Sequence, residues 1–289
     1  MSNSNAKVKV ALLSVLSNTT LIIMKIVTGL LSGSVSIISE AIHSGMDLIA
    51  SLIAFFSVKV SSKPADKEHP YGHGKIENVS GVVEGLLIFI AAFLIIKEAI
   101  LKIFYPSEIS ETTIAIAVMG ISAIINAIVS SILYKVAKKE DSVALEADSL
   151  HLKTDVYTSA GVAVGLLLMK LTGITVLDSI TAILVALLIL KEAWGLCRNA
   201  FSPLLDASLT DEEEAKIIEV LEEYNGQFDE FHKLRTRKSG NIKYIDFHML
   251  VDGSITVKEA HSLSETIEEE LEKKISNTNV HIHIEPSKT

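Results

Sequence analysis

The chain has 289 residues, of which 49% are hydrophobic and 21% charged, and its mean hydropathy is +0.42. These values exclude an ordinary soluble protein, so part of the chain is expected to lie in lipid. The net charge of −9 arises in residues 206–289, which carry 19 Asp/Glu against 10 Lys/Arg. This acidic excess argues against a nucleic-acid-binding surface. Cys197 is the single cysteine, which excludes an intrachain disulfide and a cysteine-rich zinc module.

Six segments are apolar and long enough to cross a bilayer as helices, for which roughly 20 residues are needed. They are residues 10–31, 35–59, 79–104, 113–134, 144–171 and 176–194. Lysines collect in the loops 59–75 and 135–153, whereas the connections 32–34, 105–112 and 172–175 hold no Lys or Arg. The positive-inside rule therefore predicts a multi-pass protein of the cell membrane with both termini in the cytoplasm. The first residues also lack the order of a signal peptide.

Residues 206–289 predict a small soluble domain after the all-α membrane domain of residues 1–205. Thr210 followed by four acidic residues is typical of a helix N-terminus, and Gly240 marks a turn between two strands. The predicted elements are helices at 211–224 and 256–275 and strands at 231–237, 242–251 and 279–285. The order α-β-β-α-β indicates an α+β domain.

Ionisable residues within a span cost at least ~2.5 kcal/mol each on insertion scales, which makes them candidates for function. The second span holds His43 and Asp47, and the fifth holds His151 and Asp155. The i, i+4 spacing of each pair places both side chains on one helix face. Two such helices facing each other offer two imidazoles and two carboxylates, a set suited to tetrahedral zinc or a similar divalent ion. The alternative is that each pair only makes helix-packing or interhelical hydrogen-bond contacts.

Two further groups of residues have the composition of metal sites. The first lysine-containing loop offers Asp66, His69 and His73 within eight residues, three ligands that leave one position for water; the alternative is a solvated polar loop. The soluble domain holds five of the nine histidines, with a carboxylate nearby in the last strand. These residues are His232, His248, His261, His281, His283 and Glu285. Surface histidines on an acidic domain are the alternative interpretation, since the sequence does not show which of these side chains meet.

With these features together, the chain resembles the cation diffusion facilitator family, and within it the bacterial YiiP-type zinc/proton antiporters. The resemblance covers nearly the whole chain and rests on the six spans, the two His/Asp pairs, the loop from Pro64 to Lys75 and the segment from Leu234 to Gly240. It implies a homodimer in the lipid bilayer whose protomers carry a transport site, a loop site and a metallochaperone-like cytoplasmic domain with a two-metal site.

The family pattern assigns residues to each of these sites. The transport site would be His43, Asp47, His151 and Asp155, the loop site Asp66, His69 and His73, and the cytoplasmic site His232, His248, His261, His283 and Glu285. Lys75 and Asp206 match the partners of an inter-protomer charge interlock. His43 and Glu285 depart from the YiiP-type pattern, which has Asp at both positions. The metal range of that group, cadmium in particular, and the bridging of two metals by one carboxylate are therefore not carried over.

The sequence and the resemblance predict a Zn²⁺ efflux transporter, not an enzyme, that works by alternating access with protons as the counter-ion. Metal and protons compete because a ligating imidazole must be deprotonated. Zn²⁺ is expected both as cargo and as a structural or regulatory ion. Mn²⁺, Fe²⁺ and Co²⁺ are alternative cargoes, with Mn²⁺ disfavoured because it prefers oxygen-rich octahedral sites. A non-transporting membrane metal sensor and an intramembrane metalloenzyme are the rival hypotheses; the enzyme would need an open coordination position and a general base.

Overall fold

The structure is a computed structural model that describes residues 2–32, 35–104, 113–174 and 176–287. Six long helices come first, and a short 3₁₀ helix at Ser202–Leu205 leads into an α+β unit. The long helices are α1 (Ser2–Ser32), α2 (Val35–Ser61), α3 (Lys75–Phe104), α4 (Thr113–Glu140), α5 (Val143–Thr172) and α6 (Val176–Phe201). All six predicted spans thus fall on helices, and the all-α class of the membrane domain is confirmed.

Five of these helices are long and apolar enough to cross a membrane, as judged on the described residues. The remaining helix, α5, has 30 residues but is interrupted by charged and polar side chains such as Asp148, His151 and Asp155. It packs against α2, α3, α4 and α6. The neighbouring helices therefore enclose these three polar side chains, at least in part, whereas large apolar side chains such as Leu16 and Phe93 remain exposed on the outside of the bundle.

Several helices continue past the predicted spans at one end of the bundle, where α1 begins at Ser2, α4 ends at Glu140 and α6 ends at Phe201. The apolar pattern of the sequence marks only the part of each helix that lies in hydrocarbon. It does not mark these extensions because they are more polar. They point to the side on which the α+β unit sits. We call this side the soluble-domain end of the bundle.

The α+β unit has the predicted order of elements, and its class is confirmed. It consists of α7 (Asp211–Glu223), β1 (Glu230–Ser239), β2 (Ile242–Val251), α8 (Val257–Lys274) and β3 (Thr278–Pro286). The sheet order is β1-β2-β3, with β1 antiparallel and β3 parallel to β2. Thr210 and Thr256 each begin a helix with a capping box. The core is formed by apolar side chains of the two helices and the sheet, including Leu221, Phe247 and Ile267.

The two units touch where α3 begins. Lys75 Nζ lies 2.8 Å from Asp206 Oδ1, and the Arg237 guanidinium lies 4.7 Å from the ring of Tyr71 and 4.6 Å from that of Tyr244. Lys75 and Asp206, which the resemblance places in an inter-protomer charge interlock, pair with each other within this chain. The α+β unit is therefore held against the first loop by charge and cation–π contacts.

Candidate functional site

The α2–α5 interface brings the two predicted His/Asp pairs toward each other. Asp47 and His151 are 4% and 9% exposed, and His151 Nε2 lies 3.2 Å from Asp47 Oδ1. Two ligand atoms at about 2.0 Å from one tetrahedral ion are about 3.3 Å apart. The spacing of these two atoms is therefore that of neighbouring ligands of a single zinc-sized ion. His43 belongs to α2, but its side chain lies outside the described residues.

Asparagine side chains support both carboxylate positions. Asn126 Nδ2 on α4 donates to Asp155 Oδ2 at 3.2 Å, and Asn18 Nδ2 on α1 donates to the backbone carbonyl of Asp47 at 3.4 Å. Groups that hydrogen-bond a metal ligand fix its orientation. The centre therefore involves α1 and α4 as well as the helices that carry the predicted ligands.

The first loop gathers its three predicted ligands. One ligand atom from each of Asp66, His69 and His73 lies within 4.8 Å of the others. Asp66 Oδ1 accepts the backbone N–H groups of His69 at 2.7 Å and Glu68 at 3.0 Å. The hydrogen bond from the His69 backbone is the main cause that lowers the pKa of the Asp66 carboxyl below its usual value. A charged carboxylate is thus presented beside two imidazoles.

The sheet of the α+β unit aligns three histidines in one row. His232 on β1 pairs with His248 on β2, which in turn pairs with His283 on β3. A bulge follows His232, where Lys233 has a positive φ of 55°. Side chains in register on one face of adjacent strands are direct neighbours. The row places the imidazoles of His248 and His283 4.6 Å apart, measured between ring centroids.

Glu285 lies among these three imidazoles. Its Oε1 is 2.7 Å from His248 Nδ1 and 3.6 Å from His283 Nε2, while its Oε2 is 3.5 Å from His232 Nε2. The hydrogen bond with His248 is the main cause that lowers the pKa of the Glu285 carboxyl. The two oxygens thus face different histidines, and ligand atoms of His232, His248 and Glu285 all lie within 4.8 Å of one another.

The other two histidines of this unit lie outside the tight cluster of ligand atoms. His261 is exposed on α8, where its Nε2 is 3.3 Å from Glu265 Oε1. His281 is exposed on β3, with Nδ1 3.9 Å from Asp246 Oδ1. Within one chain, the predicted cytoplasmic set therefore comes together without His261.

Several polar residues buried in the bundle are not among the residues predicted from the sequence. Lys25 is 5% exposed and its Nζ donates to Ser44 Oγ at 2.6 Å, while Glu84 and Asp148 are fully buried. The cost of an ionisable group within a span singles out these three residues as clearly as the His/Asp pairs. They were missed because none of them belongs to a repeated motif.

Comparison with known proteins adds independent observations. The family model described as "Cation efflux transmembrane domain" matches residues 11–205, and that described as "Cation efflux protein, cytoplasmic domain" matches residues 209–287. A transporter of Synechocystis is 37% identical over 256 residues, which cover 89% of this chain and 83% of the relative. The cation-efflux pump FieF of Shewanella oneidensis is 30% identical over 273 residues, covering 94% of this chain and 92% of the relative.

A solved structure described as "Mode of Action of a Putative Zinc Transporter CzrB" is 34% identical to part of the chain. It covers 28% of this chain and 99% of that chain, with a TM-score of 0.27.

Proposed function

The chain belongs to the cation diffusion facilitator family, whose members are membrane cation-efflux transporters and not enzymes, and from this premise we propose that it exports Zn²⁺ in exchange for protons. In this proposal, residues 1–205 form the transport domain and residues 206–289 a cytoplasmic, metal-binding dimerisation domain. The lysine-containing loops support an orientation in the cell membrane with both termini in the cytoplasm.

The contact between Asp47 and His151 is the observation that carries the proposal. It joins a carboxylate of α2 to an imidazole of α5 inside the bundle at 3.2 Å. With His43 and Asp155 the set has two nitrogens and two oxygens, which suits zinc better than the harder Mn²⁺. Two carboxylates also neutralise a dication, which lowers the free-energy cost of holding it in a low-dielectric interior.

Proton coupling follows from the chemistry of these ligands. An imidazole that holds a proton has no lone pair for a metal, so Zn²⁺ and protons compete for the same nitrogens. Acid on the release side favours discharge of the metal, and acid on the cytoplasmic side inhibits loading. Rocking of the helices between two openings would let an inward proton gradient drive the metal outward.

The α+β unit is proposed to form a homodimer that bound metal stabilises. Two copies with an excess of acidic residues repel each other, and bound cations reduce this electrostatic repulsion. The row of three histidines around Glu285 offers ligands for such an ion. The two Glu285 oxygens face different histidines, which supports a carboxylate shared between two ions.

The proposal is tested in proteoliposomes that contain the purified full chain. The interior carries a metal-sensitive dye and a pH-sensitive dye, and Zn²⁺, Mn²⁺, Fe²⁺, Co²⁺ and Cd²⁺ are compared. We expect Zn²⁺ flux with proton flux in the opposite direction, and loss of uphill transport when an ionophore collapses the proton gradient. Absence of Zn²⁺ flux would contradict a transport function, and uphill flux that survives the ionophore would contradict antiport.

A further inference from the structure

Two carboxylates of the bundle are not among the predicted ligands of the centre described so far. Glu84 on α3 and Asp148 on α5 are both 0% exposed. They lie on helices that pack together, since Ile88 on α3 and Ala147 on α5 belong to one buried apolar cluster. The close packing around Glu84 explains the burial: a Cβ on Gly81 would lie 2.7 Å from the Val143 side chain and 3.1 Å from Ala200 Cβ. Neither group is exposed at the surface of the bundle.

Most oxygens of this pair have no hydrogen-bond partner within the described part of the chain. Ser80 Oγ donates to Glu84 Oε1 at 3.3 Å, whereas Glu84 Oε2 and both oxygens of Asp148 are unpartnered. The hydroxyl of Ser14, which is 0% exposed, is directed at Asp148 and also reaches no partner. No described Lys or Arg forms an ion pair with either carboxylate.

A bound cation would satisfy these oxygens. Burying a carboxylate without a partner is strongly unfavourable, and two that repel each other are worse. Buried oxygens are carried by Ser14 on α1, by Ser80 and Glu84 on α3 and by Asp148 on α5, and α5 packs against both α1 and α3. Their composition is that of a divalent-cation site made only of oxygen ligands, with a formal charge that matches a dication.

The position of the pair relates it to transport. Asp148, His151 and Asp155 are spaced i, i+3, i+7 along α5 and therefore lie on one face of that helix. Asp148 is nearer the start of α5 at Val143, and thus nearer the soluble-domain end. At a rise of about 1.5 Å per residue, it lies about 4.5 Å from His151 along the helix axis.

We propose that Glu84 and Asp148, with the hydroxyls of Ser14 and Ser80, form a second intramembrane cation site that the transported dication occupies on its way between the soluble-domain end and the Asp47–His151 centre. The inference rests on the proposed transport function. Oxygen ligands bind zinc less tightly than imidazoles do, so an ion that stops at this site passes on to the centre with nitrogen ligands.

Transport kinetics provide the first test. Glu84→Gln, Asp148→Asn and the double variant keep the shape of each side chain and remove its charge, while Glu98→Gln makes the same change at an exposed position of α3. In proteoliposomes we expect the zinc concentration for half-maximal flux to rise at least about tenfold in the double variant. The control should match the wild type. A double variant with wild-type kinetics would overturn the proposal.

Chemical labelling gives a second test that does not depend on transport. Dicyclohexylcarbodiimide modifies carboxyl groups buried in apolar surroundings, and mass spectrometry locates the adducts. The full chain carrying Asp155→Asn, which weakens the neighbouring centre, is labelled with Zn²⁺ or with a chelator. We expect Zn²⁺ to reduce modification of Glu84 and Asp148 several-fold. Equal modification in both conditions would overturn the site, even where zinc transport by the wild type is intact. Protection of the two carboxyls together with no zinc flux through the wild-type chain would refute the transport function and leave the site standing.

Discussion

Asn126 contacts the proposed transport centre through Asp155, although it offers no ligand that zinc favours. Its amide donates to Asp155 Oδ2 at 3.2 Å and so helps to fix the orientation of this carboxylate. An oriented carboxylate loses less rotamer freedom when it binds an ion. The residue is therefore a positioning residue of the centre.

Replacement of Asn126 tests this role. Asn126→Ala removes the hydrogen bond and should weaken zinc transport about tenfold at low zinc concentration, the lower end of the range for lost supporting contacts to metal ligands. The maximal rate should change less, because the ligands themselves remain. Zinc-dependent flux in proteoliposomes measures both quantities. Ser131→Ala, at an exposed position of the same helix, is the control. Equal kinetics for both variants would refute the positioning role.

At the scale of elements, the sheet creates a site that no single strand contains. His232, His248 and His283 come from three strands and meet only because their registers coincide. The bulge after His232 shifts the register between His232 and Arg235, and the left-handed backbone of Lys233 is part of it. Bulges of this kind re-aim neighbouring side chains.

Substitution at Lys233 tests whether the bulge holds the histidine row. Lys233→Val places a β-branched residue at a positive φ, which costs about 1–2 kcal/mol, whereas Lys233→Gly accepts this backbone without strain. Both variants remove the same charge, so their difference reports the backbone alone. We expect faster hydrogen exchange in β1 and weaker zinc binding for the valine variant of the full chain. Equal exchange and equal zinc binding in the two variants would count against the role of the bulge.

Much of the secondary structure could be predicted from the sequence. The alternation over residues 242–251 predicted β2 with the bounds that the structure shows. The apolar segments predicted all six helices of the bundle. The ends of several helices were not predicted because they are polar and lie outside the apolar segments. The meeting of His248 with Glu285 could not be predicted, since a strand's sequence does not state which neighbour it pairs with or in which register. His261 was assigned from family resemblance, and its distance from the cluster follows from its place on α8.

At the scale of the whole molecule, the contact between the two units depends on Asp206. Lys75, as its principal hydrogen-bond partner, lowers the pKa of the Asp206 carboxyl below its usual value of 3.8. The contact is therefore fully present above that value and is lost only as the pH falls through the lowered pKa. It stays intact across the range in which imidazoles titrate.

The pH dependence of the Lys75–Asp206 ion pair predicts when the α+β unit is held against the bundle. Asp206→Asn should loosen the α+β unit at neutral pH by at most about 1 kcal/mol, since exposed ion pairs contribute little. Electron spin resonance would follow the distance between labels at Glu68 and Val257 in the full chain. We expect a broader distance distribution in the variant, and no change in the wild type between neutral pH and about pH 5. Asp211→Asn is the control. A wild-type distribution that broadens over this pH range would contradict the assignment.

Metal binding to the α+β units should also be visible in the proposed homodimer. Zinc bound at the histidine row reduces repulsion between two acidic units, so the distance between labels at the two copies of Val257, a position 87% exposed, should shorten and narrow. Double electron–electron resonance in lipid nanodiscs measures this distance. His248→Ala removes the central ligand and should abolish the response. A zinc response that persists in this variant would place the responsible ion elsewhere.

The most direct test of the central claim, that the α2–α5 interface carries the transported metal, is zinc flux through single-charge variants. Asp47→Asn and Asp155→Asn each leave one carboxylate against a dication, an imbalance of several kcal/mol in a low-dielectric site. In proteoliposomes we predict that both lose zinc flux and the opposing proton flux by at least about 100-fold, while Asp252→Asn, in an exposed turn of the α+β unit, retains both. Zinc flux near the wild-type rate in either Asp47→Asn or Asp155→Asn would contradict the account.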